Sequence, residues 1–262
     1  MSAADHPGAV AADVSVVRVG HHVAVVEVHR PPNNYFDVAM IGAIADAFDD
    51  LAADGQTRAI VLCSEGKHFC AGANFGGPRD AGGAAPHLYE MAIRLFRQPL
   101  PVVAAVQGGA IGGGMGLALS SDFRVATPES RFAANFARLG FHHGFALTVT
   151  LPRLVGEQAA LDLLLSGRRI GGEEALRLGV CDRLVPAGEL RDAAFALAEE
   201  IAGSAPLAVR SIRETMRAGL ADRAEAAMRH ERIEQDRLVQ TDDWREGVAA
   251  VNERREANFR GR

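Results

Sequence analysis

The sequence predicts an α/β fold with a helical C-terminal region, on three observations. Short β-rich runs alternate with helix-period segments up to about Val185. From Gly188 onward almost every window reads as helix. The chain shows no internal repeat.

The elements follow in order. Residues 14–19 and 23–29 are β-rich and flank Gly20-His21-His22, a hairpin signal. Two prolines make residues 30–34 a loop. Asp37 can cap a helix running to about Asp54, with Met40, Ile41, Ile44, Ala47, Phe48 and Leu51 on one face. Gly55 ends it. Residues 58–64 read as a buried strand, and residues 76–85, rich in Gly and Pro, as a loop. A helix over 86–97 and an apolar strand over 101–106 come next. A short helix opens at 112–114 and reaches Ser121, followed by a strand over 123–126. Helices are expected over 145–154, 157–165 and 173–178, and a last strand over 181–185. A boundary near Pro206 separates a core of residues 1–205 from a helical region of residues 206–262.

Composition narrows the class. Apolar residues make up 48% of 262, and the arginine- and alanine-rich chain carries a net charge of −5. That fits a globular core and offers no basic field for nucleic acid. No apolar run reaches the length of a membrane span, and no signal peptide is read at the N-terminus. Cys63, Cys70 and Cys181 form no CxxC pair, which points to reduced thiols and a cytoplasmic home. No metal-ligand spacing occurs, and no cofactor is called for. Lys67 is the chain's only lysine, so a phosphate clamp would fall to arginine or backbone N–H.

Two segments carry the chemistry: His68-Phe69-Cys70-Ala71-Gly72-Ala73-Asn74, and Ala105 to Gly116 with its Gly112-Gly113-Gly114 run. Small residues let a backbone approach a ligand closely. Gly113 falls at a helix N-terminus, where free N–H groups and the helix dipole favour negative charge. Taken alone, the glycine run fits a tight strand-to-helix turn without a ligand equally well. It lacks the lysine and hydroxyl of a P-loop.

Together these segments resemble the crotonase (enoyl-CoA hydratase/isomerase) family. So does the C-terminal Thr241-Asp242-Asp243-Trp244-Arg245-Glu246-Gly247, and the resemblance covers residues 14–262. It implies a spiral of ββα units, a C-terminal helical trimerisation region, and a homotrimer or dimer of trimers. It also implies an acyl-CoA substrate, with coenzyme A as part of the thioester. The N–H groups of Ala73 and Gly113 would then form an oxyanion hole for a thioester enolate. By the same resemblance Arg30, Ala71, Gly72, Asn74 and Phe75 would meet the substrate, with Arg30 toward phosphate.

Where the family pattern has its two hydratase glutamates, this chain has Gly116 and Phe136. Neither transfers a proton, so ordinary hydration is not expected. Isomerisation, decarboxylation and C–C hydrolysis stay open, as does a catalytically silent acyl-CoA-binding oligomer. His142 and His143 are the candidate substitutes, because histidine titrates near neutral pH. His143 is favoured. Phe136 makes its part of the pocket apolar, which suits a bulky or ring-bearing acyl group.

Overall fold

The structure, a computed structural model, describes residues 8–11, 13–74 and 87–262. Phe75 and the loop expected over 76–85 lie outside the described residues. The strands are β1 (Gly8–Ala11), β2 (Val14–Val19), β3 (Val23–Val28), β4 (Ala59–Ser64), β5 (Val102–Val106), β6 (Gly109–Ile111), β7 (Phe123–Ala126), β8 (Arg131–Ala133), β9 (Arg169–Gly171) and β10 (Arg183–Leu184). The helices are α1 (Val38–Ala53), α2 (Leu88–Arg97), α3 (Gly113–Ser120), α4 (Leu147–Val155), α5 (Glu157–Ser166), α6 (Gly172–Leu178), α7 (Leu190–Ala202), α8 (Pro206–Met216), α9 (Leu220–Leu238) and α10 (Asp242–Glu253).

The main sheet has the order β1-β2-β3-β4-β5-β7-β10. β2 and β3 form the expected antiparallel hairpin, and β3 through β10 run parallel. Alternate side chains serve two cores. Ile60 and Leu62 of β4 join Met40, Ile41, Ile44 and Phe48 of α1. Val61 and Cys63 turn the other way, against Leu190, Ala194 and Leu197 of α7. A sheet covered on both faces reads as a continuous apolar run, which β4 does. Each fully buried Ile or Leu there contributes about 1.5–3 kcal/mol.

Helix α1 begins where expected: the Asp37 carboxylate accepts the Met40 N–H at 2.8 Å. Helix α8 begins at Pro206. The helix expected from residue 145 starts two residues later, because Phe145 and Ala146 hold φ of 60° and 58°. The carboxylate of Glu231 on α9 fixes that start. It accepts the Ala146 N–H at 2.9 Å, the Thr148 N–H at 3.2 Å and the Thr148 hydroxyl at 2.6 Å. The last strand is shorter than expected, Arg183–Leu184 only.

A second sheet, β6-β8-β9, was not foreseen. Its strands are three residues long and carry glycine, alanine and arginine, too little for a period-2 signal. This sheet stands at the end of β5 and feeds directly into α3.

The helical tail docks on the core by charge as well as packing. Arg213 of α8 and Arg217, which follows that helix, reach Asp122 at 2.9 and 2.8 Å, and the same carboxylate accepts the Val102 N–H at 2.9 Å. Nearby, Arg124 is 1% exposed; it pairs with Asp182 at 2.6 Å and donates to the carbonyls of Val180 and Ser121. Each of these charges is paired, as the desolvation cost of an unpaired ion requires, although Arg213 Nη2 and Arg217 Nε find no partner among the described residues.

Candidate active site

The two motif segments meet side by side. Cys70 bridges Ala110 in parallel, and the Ile111 N–H donates to the Cys70 carbonyl at 3.0 Å. The approach is closer than any side chain would permit. A Cβ on Gly72, whose φ is +87°, would lie 2.8 Å from the Ile111 carbonyl oxygen, and one on Gly114 only 2.1 Å from that of Cys70.

Ala73 pairs with Phe36 as an isolated parallel bridge, in which the Phe36 N–H donates to the Gly72 carbonyl at 3.0 Å. That pairing leaves the Ala73 N–H outside the ladder. Gly113 is the first residue of α3, so its N–H has no intrahelical partner. Among the described residues neither N–H has a protein acceptor. Both residues line one cavity of about 950 Å³. Two free donors on one cavity, one of them at the N-terminus of α3, can receive an oxygen that gains negative charge.

Ala71, Gly72, Asn74 and Phe136 line the same cavity. Phe136 is 6% exposed; its ring stands 3.6 Å from where a Gly112 Cβ would be, over the turn into α3. Phe36, Phe141 and Phe145 complete an apolar wall. Phe145 also explains Gly116: a Cβ there would lie 2.5 Å from the Phe145 Cβ and 2.9 Å from its carbonyl oxygen. The space that a side chain at position 116 would need is thus occupied by Phe145.

Arg30 is not among the residues lining the cavity. Asp13 and Asp37 hold its guanidinium, each at 2.7 Å, so a phosphate would have to displace two carboxylates.

His142 and His143 likewise do not line the cavity. Their rings stack at 4.2 Å and turn toward α9. The His142 Nδ1 lies 2.7 Å from the His143 carbonyl and so carries its proton there. His143 Nε2 lies 2.8 Å from the Thr148 hydroxyl, which itself donates to Glu231; Nε2 is therefore the protonated nitrogen. Burial, with the charges of His142 and His230, pushes His143 down to about 4. Burial pushes Glu231 upward, against its hydrogen bonds to Thr148 and Ala146.

The cysteines are inert by the same physics. Burial pushes the thiols of Cys63 and Cys70 up to about 12 and that of Cys181 up to about 11. Cys70, within the motif, is 0% exposed and serves packing.

Tyr89, Gln235, Gly144, His87 and His68 also line the cavity. Tyr89 donates its hydroxyl to Gln235 at 2.9 Å and accepts the Phe145 N–H at 3.3 Å. Burial raises its pKa, so the hydroxyl keeps its proton at neutral pH. A Cβ on Gly144 would lie 2.0 Å from that oxygen, so this glycine makes room for it. Gln235 reaches the cavity only because α9 folds over α4. His87 accepts the Tyr89 N–H at 3.2 Å and caps α2, while His68 accepts the Gly109 N–H at 2.9 Å. Trp244, of the C-terminal motif, packs on Phe141 at 4.4 Å.

Among the described residues no group of three or more His, Cys, Asp or Glu could hold a metal ion, and no helix is long and apolar enough to cross a membrane.

Known proteins resemble this chain along nearly its whole length. A Thermus thermophilus chain that carries an enoyl-CoA hydratase name is 36% identical over 247 residues, 91% of this chain and 97% of that one. The (E)-benzylidenesuccinyl-CoA hydratase of Thauera aromatica is 32% identical over 257 residues, 94% of this chain and 98% of that one. The crystal structure of an enoyl-CoA hydratase/isomerase from Pseudoalteromonas atlantica T6c superimposes with a TM-score of 0.87 at 28% identity, covering 95% of this chain and all of that one. The enoyl-CoA hydratase/isomerase profile matches residues 18–262. With that match across nearly its whole length, the chain belongs to the enoyl-CoA hydratase/isomerase (crotonase) family.

Proposed function

We propose that this protein binds an acyl-CoA and stabilises the enolate of its thioester with the N–H groups of Ala73 and Gly113. It does so without the paired carboxylates of a hydratase. The observation that carries this reading is the pair of unpartnered N–H groups facing one cavity, beside a Gly116 site filled by Phe145. The relatives' hydratase names support the substrate class; Gly116 and Phe136 argue against their reaction here. Enolate chemistry without a water-activating acid leaves isomerisation, decarboxylation or C–C cleavage. Tyr89 gives its one proton to Gln235 and accepts the Phe145 N–H, so it fixes the cavity wall and leaves the thioester oxygen to the two backbone donors.

The wall of Phe36, Phe136, Phe141 and Phe145 suits a bulky or ring-bearing acyl group. The name of the Thauera relative supports that choice. The apolar side chains left exposed on α8, Leu207, Ile212 and Met216, support assembly as a trimer or dimer of trimers.

A second reading, a catalytically silent acyl-CoA binder, is favoured by one observation: His142 and His143 are absent from the cavity lining. One experiment separates the two. Acyl-CoAs with short and aromatic acyl groups are incubated with the protein in D2O, and exchange at the α-carbon is followed by NMR. The enolate reading expects exchange at least about 100-fold above the protein-free rate, the scale of oxyanion stabilisation. It also expects background hydration of crotonyl-CoA. Binding without exchange establishes the silent binder, and crotonyl-CoA hydration at enzymatic rates refutes both.

A further inference from the structure

The cavity has a second, basic end that the proposed reaction does not use. Lys67, Arg131 and Arg169 line it, together with His68 and one carboxylate, Glu129. The strand register shows why the arginines face inward. Arg131 stands opposite Gly109 and Gly171, and Ala133 stands opposite Ile111 and Arg169. Paired residues share a face, so Arg131 and Arg169 rise from the side of the small sheet that carries Gly109 and Ile111. The other side carries Ala110, Phe132 and Ile170, all at most 1% exposed.

These three cations are not engaged as their neighbours are. Arg168 is paired with Asp162 at 2.8 Å and Glu174 at 2.9 Å, and Arg30 is held by two aspartates. Among the described residues Lys67, Arg131 and Arg169 form no ion pair; Arg131 donates only to the carbonyls of Pro128 and Ser130, both at 2.9 Å. The chain's only lysine is one of the three. His68 spends Nδ1 on the Gly109 N–H, which leaves Nε2 as a further donor.

We propose that this basic end is a subsite for a carboxylate at the far end of the acyl chain, so that the substrates are carboxyl-terminated acyl-CoA thioesters. The proposal rests on the reading of Ala73 and Gly113 as the thioester oxygen's donors. Gly109, beside Arg131, lies three residues before Gly112, roughly 10 Å along an extended strand. Ile111 provides an apolar floor in between. A medium-length acyl chain spans that distance. The diphosphate of coenzyme A, at the end of an extended pantetheine arm, lies well beyond it.

The test is calorimetric binding of adipoyl-CoA, hexanoyl-CoA and free CoA to the full-length protein and to the R169M and K67M variants. Both side chains are exposed, so the variants fold; matched thermal midpoints check this. The proposal expects adipoyl-CoA to bind at least roughly tenfold tighter than hexanoyl-CoA, the scale of charge-assisted hydrogen bonds. Each variant should erase most of that preference and leave hexanoyl-CoA and free CoA within twofold. Equal binding of the two thioesters by the unaltered protein overturns the subsite alone. A variant that weakens free CoA as much as adipoyl-CoA assigns the cations to the CoA phosphates and overturns it as well. So does a variant that changes only the oligomeric state, since the cations would then face a second copy. If no thioester binds at all, the proposed function itself fails.

Discussion

Writing glutamate into position 116 restores, in sequence, an acid that hydration needs, and the structure predicts that the restoration fails. Gly116 sits inside α3 with every residue of the helix buried. Replacing a helical glycine gains about 1 kcal/mol of propensity. Against that, a Cβ 2.5 Å from the Phe145 Cβ must displace a side chain that is 1% exposed. Overpacking of this kind costs about 1–3 kcal/mol, and burying an unpartnered carboxyl about 1–3 more. The net loss for Gly116→Glu is on the order of 1–5 kcal/mol. Gly116→Ala isolates the steric part and should fall between neutrality and about 2 kcal/mol of destabilisation. Guanidinium unfolding at matched protein concentration reads the stabilities, and crotonyl-CoA hydration reads the chemistry. The double variant G116E/F145G should recover nothing, because emptying the Phe145 site costs about 3–5 kcal/mol and the Phe145 carbonyl oxygen still crowds position 116. The reasoning is refuted if Gly116→Glu alone is as stable as the parent and hydrates crotonyl-CoA.

Two further predictions test the surroundings. His143 has a folded pKa of about 4, below its ordinary 6.5, so the unfolded chain binds more protons between those values. Its contribution to stability is complete above pH 6.5 and is lost as pH falls toward 4, with an upper slope of about 1.4 kcal/mol per pH unit. Partial exposure of the ring reduces the total to on the order of 1–2 kcal/mol. His142, His230 and Glu231 face the same ring, so the measurement is the difference in urea midpoint between the parent and His143→Gln across pH 4–7; parallel curves would count against it. The same variant should leave α-carbon exchange within a few-fold, since His143 does not line the cavity. Arg124→Met leaves Asp182 and three backbone carbonyls without their buried partner, and should cost about 3–5 kcal/mol in denaturant unfolding.

What the sequence made legible followed the range over which its signals act. The β2–β3 hairpin, the Asp37 cap and the alternating core were readable because each depends on neighbours in sequence. The juxtaposition of Ala73 with Gly113 was readable through the family resemblance, since glycine spacing alone fits an empty turn. The small sheet escaped, because three-residue strands of glycine, alanine and arginine display no period. The histidine pair was singled out for its chemistry; its direction is set by Glu231 and Gln235, about ninety residues away, which no local pattern reports. For the same reason Tyr89 and Gln235 gave no sign that they would meet.

The path of α9 and α10 has a consequence for how such chains recombine. Gln235 on α9 and Val248, Val251 and Asn252 on α10 line the cavity, and Glu231 sets the entry of α4. A chimera joined at Pro206 would therefore exchange part of the substrate's container together with the helices expected to mediate assembly. Drift in the tail retunes acyl preference even when every motif residue of the core is left untouched. Grafted variants of this chain should keep the tail with the core that it closes.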